Sequence, residues 1–363
     1  LSYGKVRVGY AEVGGGGELP YQTTLNYNIA GTINGTPIGQ ITNGSIPNST
    51  LTPRAIKEFE AGTELKFFQN RLGIDLTYYN KQINDDIVPV TTSVSTGYPS
   101  AVLNVGKLKN TGWELLLTGT PIRNNNFTWN VSFNGSVNKS EVVSLASGLT
   151  SIQIGIGRTE TAFIQQIVGK EASQVMAFDY SRDESGHILR DPNGVALRGN
   201  LIAYGPGNYK YNTGLSNEFK YKNFNFSFLI DGKWGAKIFS GTNAYATGAG
   251  LTQETLVDRD KPGFDAQSYY TNFGANVSGQ FVEDASFIKL RQVILGYDFP
   301  LSMFNNKIQG LKISFVARNL AVLMKHTTNV DPESNYNNTA AQGLELAGVP
   351  STRSFGLNLN FKF

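Results

Sequence analysis

Five apolar side chains at every second position close this chain. Residues 353–363 read R-S-F-G-L-N-L-N-F-K-F: Phe355, Leu357, Leu359, Phe361 and Phe363 alternate with Ser354, Gly356, Asn358, Asn360 and Lys362. Successive side chains of a β-strand point to opposite faces, so one face here is wholly apolar and the other small or polar. A strand of a soluble sandwich can look like this. A strand crossing a membrane in a β-barrel must, because it has lipid on one face and a polar lumen on the other. The length suits the roughly 9–11 residues that such a strand needs. In a bacterial outer-membrane barrel the five apolar residues, with the terminal Phe363, are expected to form the signal read by the insertion machinery.

The remaining composition agrees with a large β-structure. Among 363 residues there are 40 Gly, 17 Tyr, 22 Phe and only 3 Met, which favours strands and turns over helices. No cysteine is present, so disulfides and thiolate metal sites are excluded. A net charge of +3 with no basic block gives no nucleic-acid footprint. No run approaches the ~18 apolar residues of a membrane helix. A mildly negative mean hydropathy does not argue against a barrel, because only alternate residues meet lipid. Leu1 is not a start methionine and already begins a strand-like stretch, so residues 1–363 are expected to be the C-terminal part of something longer.

Alternation marks the other strands. It runs through 1–12 (Val6, Val8 and Tyr10 on one face), 57–67 (Phe59, Ala61, Leu65, Phe67) and 72–81 (Leu72, Ile74, Leu76, Tyr78). It returns in 111–118 (Trp113, Leu115, Leu117) and 127–138 (Phe127, Trp129, Val131, Phe133). Residues 209–221, 224–230, 287–299 and 311–318 complete the set before the final strand. The spacing predicts about ten strands. Turns near 69, 123, 222 and 303 are short, whereas the connections 14–53, 85–109, 139–206, 233–283 and 326–352 read as long loops. Within the third of these, Thr161–Val168 reads equally as a short strand or a helix. Short and long connections in alternation are expected of a barrel with short periplasmic turns and long extracellular loops. Aromatics gather at the short-turn ends (Phe67, Phe68, Phe127, Trp129, Tyr221, Phe224, Phe299, Phe361), as an interfacial girdle would require.

Several segments resemble one family, the SusC/RagA-like TonB-dependent transporters of Bacteroidetes outer membranes. They are Phe68-Gln-Asn-Arg-Leu-Gly-Ile-Asp-Leu-Thr-Tyr-Tyr-Asn80, Asn104-Val-Gly-Lys-Leu-Lys-Asn-Thr-Gly-Trp-Glu114 and Tyr211-Asn-Thr-Gly-Leu-Ser-Asn217 with Tyr221-Lys-Asn-Phe224. Further along come Ala285-Ser-Phe-Ile-Lys-Leu-Arg291 with Tyr297-Asp-Phe-Pro300, then Arg318-Asn-Leu320 and Asp331-Pro-Glu333. The resemblance implies an all-β chain forming about the last ten strands of a transmembrane antiparallel barrel of about 22 strands. The plug and N-terminal domains would lie outside it. It implies multi-pass residence in the bacterial outer membrane and energised import of a glycan, oligosaccharide or oligopeptide. The implied partners are a SusD-like surface lipoprotein, TonB-ExbB-ExbD acting through the N-terminal part, and lipopolysaccharide or other outer-membrane lipid. A surface adhesin and a passive porin remain the alternatives.

Nothing in the sequence reads as an enzyme site. His187 and His326 are the two histidines, and neither a zinc-protease motif nor a nucleophile elbow is present. The segments 183–186 (D-E-S-G) and 191–194 (D-P-N-G) read as turns rather than calcium loops, since neither supplies closely spaced oxygen ligands ending in a bidentate acid. No cofactor and no metal are expected. Asp75, Glu114, Lys210 and Arg318 fall on the polar faces and are expected to line the lumen. Lys289 and Arg291 share parity with the apolar Val293 and Leu295. They are expected to face outward towards lipopolysaccharide phosphates unless a bulge turns them inward. Among loop aromatics, Tyr98, Tyr180, Tyr204, Tyr245, Tyr269 and Tyr270 are candidates for stacking on a sugar or peptide.

Overall fold

The computed structural model describes residues 1–15, 23–41, 44–146, 148–300, 309–336 and 338–362. Phe363 and most of the turn expected at 300–307 lie outside the described residues. Ten long strands build one antiparallel wall in which every strand pairs with the next in sequence. They are β1 (Tyr3–Gly15), β2 (Arg54–Phe67), β3 (Leu72–Thr91), β4 (Ser100–Arg123), β5 (Phe127–Ser144), β6 (Tyr211–Tyr221), β7 (Phe224–Trp234), β8 (Phe287–Asp298), β9 (Gly310–Lys325) and β10 (Ser354–Lys362). A short segment, Ser45–Ile46, adds a parallel pair to β4.

The register carries each strand's alternation into its neighbours, so the wall has two chemically different faces. One row of paired residues reads Leu357, Phe315, Leu295, Phe226, Phe219 and Trp129. The row nearer the short turns reads Leu359, Ile313, Tyr297, Phe224, Tyr221 and Phe127. The opposite face carries rows such as Lys5, Glu64, Asp75, Leu116, Asn134, Gly214, Asp231 and Lys289. A mainly apolar belt outside a polar inner face is what a barrel wall in lipid requires. Rings of the expected girdle touch near the short turns: Trp129 stacks on Phe219 at 5.8 Å, and Tyr297 meets Phe224 at 4.8 Å and Phe299 at 5.0 Å. In β10, Phe355, Leu357, Leu359 and Phe361 all point their apolar faces outward and are exposed.

The described short turns have specific backbones. Phe68, Gln69 and Asn70 all take positive φ (53°, 56°, 67°), and Lys222 (φ 50°) with Asn223 closes the tight β6–β7 hairpin. The long connections differ from the loops expected. Residues 85–109 are mostly strand: β3 and β4 run on past the wall and stay paired to Thr91 and Ser100. The alternation is lost there because Asp85 (φ 55°) and Gly106 (φ 51°) leave the ladder opposite each other, although the register is the same on either side of them. At Gly106 a Cβ would sit 1.9 Å from the Ser144 carbonyl oxygen, so only glycine fits.

The described part of 14–53 forms a separate hairpin, Tyr27–Ile33 with Thr36–Ile41, where a loop is expected, and the three remaining long connections fold into one body. A four-stranded antiparallel sheet uses Ser151–Ile156, Ala162–Ile167, Gln174–Tyr180 and Arg198–Pro206, which resolves Thr161–Val168 as strand. A three-stranded sheet uses Lys237–Ser240, Val282–Asp284 and Leu344–Glu345, and two helices, α1 (Gly241–Gly248) and α2 (Ala266–Asn276), lie between. Ser240 caps α1 by accepting from the Asn243 N–H, and Asp265 caps α2 by accepting from Ser268. Ala162, Ile164, Val175, Phe239, Ala244, Phe281, Ala341 and Leu344 form its shared core. Three connections, β5–β6, β7–β8 and β9–β10, therefore bury their apolar residues in common.

If the two faces are as described, Leu359→Arg places a charge in lipid at a cost of about 2–4 kcal/mol near the midplane. Asn358→Arg, on the inner face, is expected to assemble as wild type. Membrane-fraction yield and heat-modifiable mobility of the two variants check this; equal assembly would contradict the register.

Candidate functional site

The loop body is tied to the wall by a buried network in which three of the sequence motifs meet. Lys289 on β8 is 2 % exposed and donates from Nζ to Asp331 Oδ1 at 2.7 Å and to Glu333 Oε2 at 2.8 Å. Arg291 grips both oxygens of Asp231 on β7 (Nε 2.9 Å, Nη2 2.6 Å) and reaches Glu333 at 3.0 Å and Asn319 Oδ1 at 3.2 Å. Asn319 donates in turn to the Thr352 carbonyl, and the Ser351 N–H and hydroxyl donate to Asp331. Tyr209 donates to the Pro332 carbonyl at 2.9 Å, and Lys289 Nζ lies 4.9 Å from the Phe287 ring centroid. The motifs Lys289-Leu-Arg291, Arg318-Asn-Leu320 and Asp331-Pro-Glu333 thus form one clamp that pins the last long connection at both of its ends.

This clamp corrects the lipid-facing expectation for Lys289 and Arg291. Opposite β7 the register jumps between Leu229 and Ile230, and opposite β9 it jumps between Leu290 and Gln292. Arg291 is the extra residue of that bulge. The bulge reverses parity, so Leu290 takes the outward row while Lys289 pairs with Asp231 on the inner face. Neither cation is left for lipopolysaccharide.

The electrostatics follow from the geometry. Burial by itself would raise the Asp331 carboxyl. Hydrogen bonds from Lys289, Ser351 and the Glu333 N–H, with the Lys289 charge, outweigh it and hold Asp331 well below the usual carboxylate range. Glu333 is lowered in the same way, burial opposing and Lys289 and Arg291 prevailing. Tyr209 is raised, first by burial and then by the neighbouring Glu333 and Asp331 charges.

Other motif residues also explain themselves as architecture. Tyr79 crosses the inner face to donate to Asn138 Oδ1 at 2.9 Å, and Gly112 lies beneath it: a Cβ there would meet the tyrosine hydroxyl at 2.4 Å. Asn104 donates to the carbonyls of Asp85 and Thr52 and so closes over the unpaired Asp85. Of the expected inner-face charges, Asp75 pairs with Arg7, whose guanidinium passes over Gly62, and Lys210 pairs with Glu171 at 3.1 Å. Glu114 and Arg318 are exposed on that face.

The loop tyrosines separate into groups. Tyr245 on α1 is 57 % exposed and lines a cleft of about 380 Å³ between α1, α2 and the turn before Ala162. Thr159, Thr161 and Thr271 supply its hydroxyls, and Gly274 lets the helices approach closely, since a Cβ there would lie 3.1 Å from the Ala244 carbonyl. A second cleft of about 360 Å³ shares Gly248, Ala249 and Thr271 and reaches Arg259 and Tyr270. Tyr269 contacts Tyr270 at 5.1 Å, Phe264 at 5.2 Å and Phe273 at 5.9 Å. Tyr204 is a packing residue. Its hydroxyl fills the space above Gly279, and burial, then the Asp179 and Tyr180 charges, push it up to about 12. Tyr180 is half-buried, and Tyr98 sits in the turn joining β3 to β4, where its carbonyl accepts from Thr92 and Thr96. Among the described residues no three His, Cys, Asp or Glu side chains gather as a metal site. Asp183 and Asp191 each spend one carboxylate oxygen on two backbone N–H groups, as turn residues do.

Lys289→Ala leaves Asp331 and Glu333 facing each other without their cation, an expected local loss of about 3–5 kcal/mol. Hydrogen exchange across 326–352 should rise while that of β3–β5 stays unchanged. Because both carboxylates are depressed, the clamp's contribution is complete above the ordinary carboxylate range and is lost only as pH falls below about 4. Protection of 326–352 should therefore hold from pH 7 to about 5; loss within that window would contradict the assignment.

Comparison with known proteins agrees with this architecture. Residues 3–320 match the family described as TonB dependent receptor-like, beta-barrel. TonB-dependent receptor P26 of Formosa agariphila is 28% identical over 394 residues, covering 99% of this chain and 40% of the relative. TonB-dependent receptor SusC of Bacteroides thetaiotaomicron is 24% identical over 347 residues, covering 87% of this chain and 33% of SusC. The RagAB peptide importer in its closed-closed state superposes with a TM-score of 0.79 at 21% identity, covering 100% of this chain and 41% of that one. The chain thus spans between a third and about two fifths of the length of these relatives. It belongs to the TonB-dependent receptor-like β-barrel family and is SusC/RagA-like within it.

Proposed function

We propose that this chain supplies ten strands of a larger barrel in the bacterial outer membrane, crossing it many times. The whole protein imports a glycan, oligosaccharide or oligopeptide with energy delivered by TonB-ExbB-ExbD, and a SusD-like surface lipoprotein covers its loop side. The observation that carries this reading is the wall itself: a mainly apolar belt on one face, in which Asn217 is capped by the Trp129 indole, a polar face behind it, and edge strands β1 and β10 open to further strands among the described residues. The loop body suits a substrate-facing role because three connections fold onto one core, which holds Tyr245 and the threonine hydroxyls of the cleft in fixed positions. The alternating β10 serves as the assembly signal, with Phe355, Leu357, Leu359 and Phe361 forming its apolar face.

A strain lacking the full-length protein should lose uptake of one labelled substrate class from a panel of glycans and peptides. The same loss should follow deletion of TonB. Uptake that persists without TonB but disappears with the protein would indicate a diffusion pore. Uptake unaffected by either deletion would indicate an adhesive role.

A further inference from the structure

Between the third and fourth strands of the loop sheet the chain repeats itself. Arg182-Asp183, Gly186 and Leu189 recur eight residues later as Arg190-Asp191, Gly194 and Leu197, and Arg198 opens a third unit. The backbone closes the repeat into a triangle: the Leu189 N–H donates to Ser181 (2.8 Å), Leu197 to Leu189 (2.9 Å) and Ser181 to Leu197 (3.0 Å). Each corner is followed at once by an arginine, so one arginine leaves this backbone ring at each of its three corners. Gly199 replaces the aspartate in the third unit because a Cβ there would lie 2.5 Å from the Tyr180 carbonyl oxygen.

The guanidinium groups are held but not neutralised. Arg182 and Arg190 each donate one Nη1 bond within their own unit, to Gly186 (2.9 Å) and Gly194 (2.8 Å). Arg198 donates to Ala275 (2.8 Å) and lies 4.4 Å from the Phe178 ring centroid. Arg182 lies 5.7 Å from that of Tyr180, and Arg190 approaches the Tyr269 hydroxyl at 3.5 Å. All three are exposed, and among the described residues none has a carboxylate within ion-pair distance. The acids of the repeat are turned elsewhere. Asp183 and Asp191 close their own turns, Asp179 accepts from the Tyr180 N–H, and Glu184 stands at the tip of the first turn. What remains is a set of preset arginine forks beside tyrosine and phenylalanine rings. Forks suit carboxylate or sulfate oxygens, and ring faces suit the C–H face of a sugar. The triangle consumes the backbone groups at its corners, which leaves little of the main-chain bonding by which extended peptides are held.

We propose that this arginine ring is a binding subsite for an anionic oligosaccharide, one carrying carboxylate or sulfate groups. The proposal rests on the import reading above and narrows its substrate class.

The test is calorimetric binding to the full-length protein in detergent. The probes are tetragalacturonate, a sulfated tetrasaccharide, neutral maltotetraose and tetraglutamate. At least one anionic sugar should bind about tenfold or more tighter than maltotetraose and weaken as salt is raised. The pair R182Q/R190Q should bring the ratio to within about twofold. If that pair does not assemble, R182K/R190K keeps the charges and loses the forks, and the ratio must still fall. Equal binding of charged and neutral sugars, a ratio unchanged in the variants, or tetraglutamate binding as tightly as the anionic sugars each overturns the proposal. Binding is read without an energised membrane, so failure here leaves import standing. Failure of import, in turn, leaves the preference measurable.

Discussion

In hydrocarbon no water takes up an unpaired backbone N–H or C=O, and each one left open costs several kcal/mol. The ladder through β1 to β10 answers that constraint, and the rest of the structure is arranged around it. Through the belt the register runs without a break from Tyr3↔Lys66 to Gly15↔Arg54 and from Tyr211↔Trp234 to Tyr221↔Phe224. Irregularities collect beyond it, at Asp85 and Gly106, at Arg291, and at Gly119 to Ile122 beside a short turn. At the first of these, freed groups are met by a side chain: Asn104 takes the Asp85 carbonyl. At the second, the extra residue Arg291 faces inward, where Asp231, Asn319 and Glu333 receive it.

Beyond the belt, the last long connection is anchored to β8 and β9 where they leave the regular ladder. The clamp does this with charges. Burying a lysine and two carboxylates is expensive unless every one is paired, and here Lys289, Asp331 and Glu333 satisfy one another with help from Ser351 and Arg291. The net stability of such a group is modest, but its geometry is demanding. Removing one member strands the others, so the network selects one placement of the connection over its alternatives. The loop core then adds apolar burial from Phe239, Phe281 and Leu344, α1 packs Ala244 against the four-stranded sheet, and α2 packs on α1.

How much of this is legible in the sequence depends on parity. Where alternation is unbroken, as in Leu72–Tyr78, Trp113–Leu117 and Phe355–Phe361, both the strand and its outward face can be read. Where the ladder is interrupted or a bulge changes the phase, the reading fails. Residues 85–109 read as loop although β3 and β4 continue through them, and Lys289 counts as lipid-facing although it is among the most buried side chains of the described residues. A one-residue insertion is invisible to a period-2 count and reverses every assignment beyond it. The clamp escapes a sequence reading for a second reason: its members are 42 and 44 residues apart in the chain, and no local pattern joins Lys289 to Asp331 or Glu333. The arginine repeat differs, since its eight-residue spacing is present in the sequence and a search for internal periodicity finds it.

The family-like segments and the proposed substrate-facing surface fall in different places, and that separation has a physical basis. Tyr79, Asn104, Gly112, Lys289, Arg291, Asn319, Asp331 and Glu333 all serve the architecture of this chain: closing over the unpaired Asp85, crossing a glycine, anchoring a loop. None of them lines the clefts beside Tyr245 and Tyr270 or the arginine ring at 182, 190 and 198. Residues in the role proposed for the clefts and the arginine ring therefore need to satisfy no constraint of the wall. They can change in size and charge on a body whose position is already fixed by the clamp. On that division of labour, relatives that share the motifs are free to differ in what they carry. Under the proposed import role, a cargo has to be read from the clefts and charges of this chain rather than from its likeness to others.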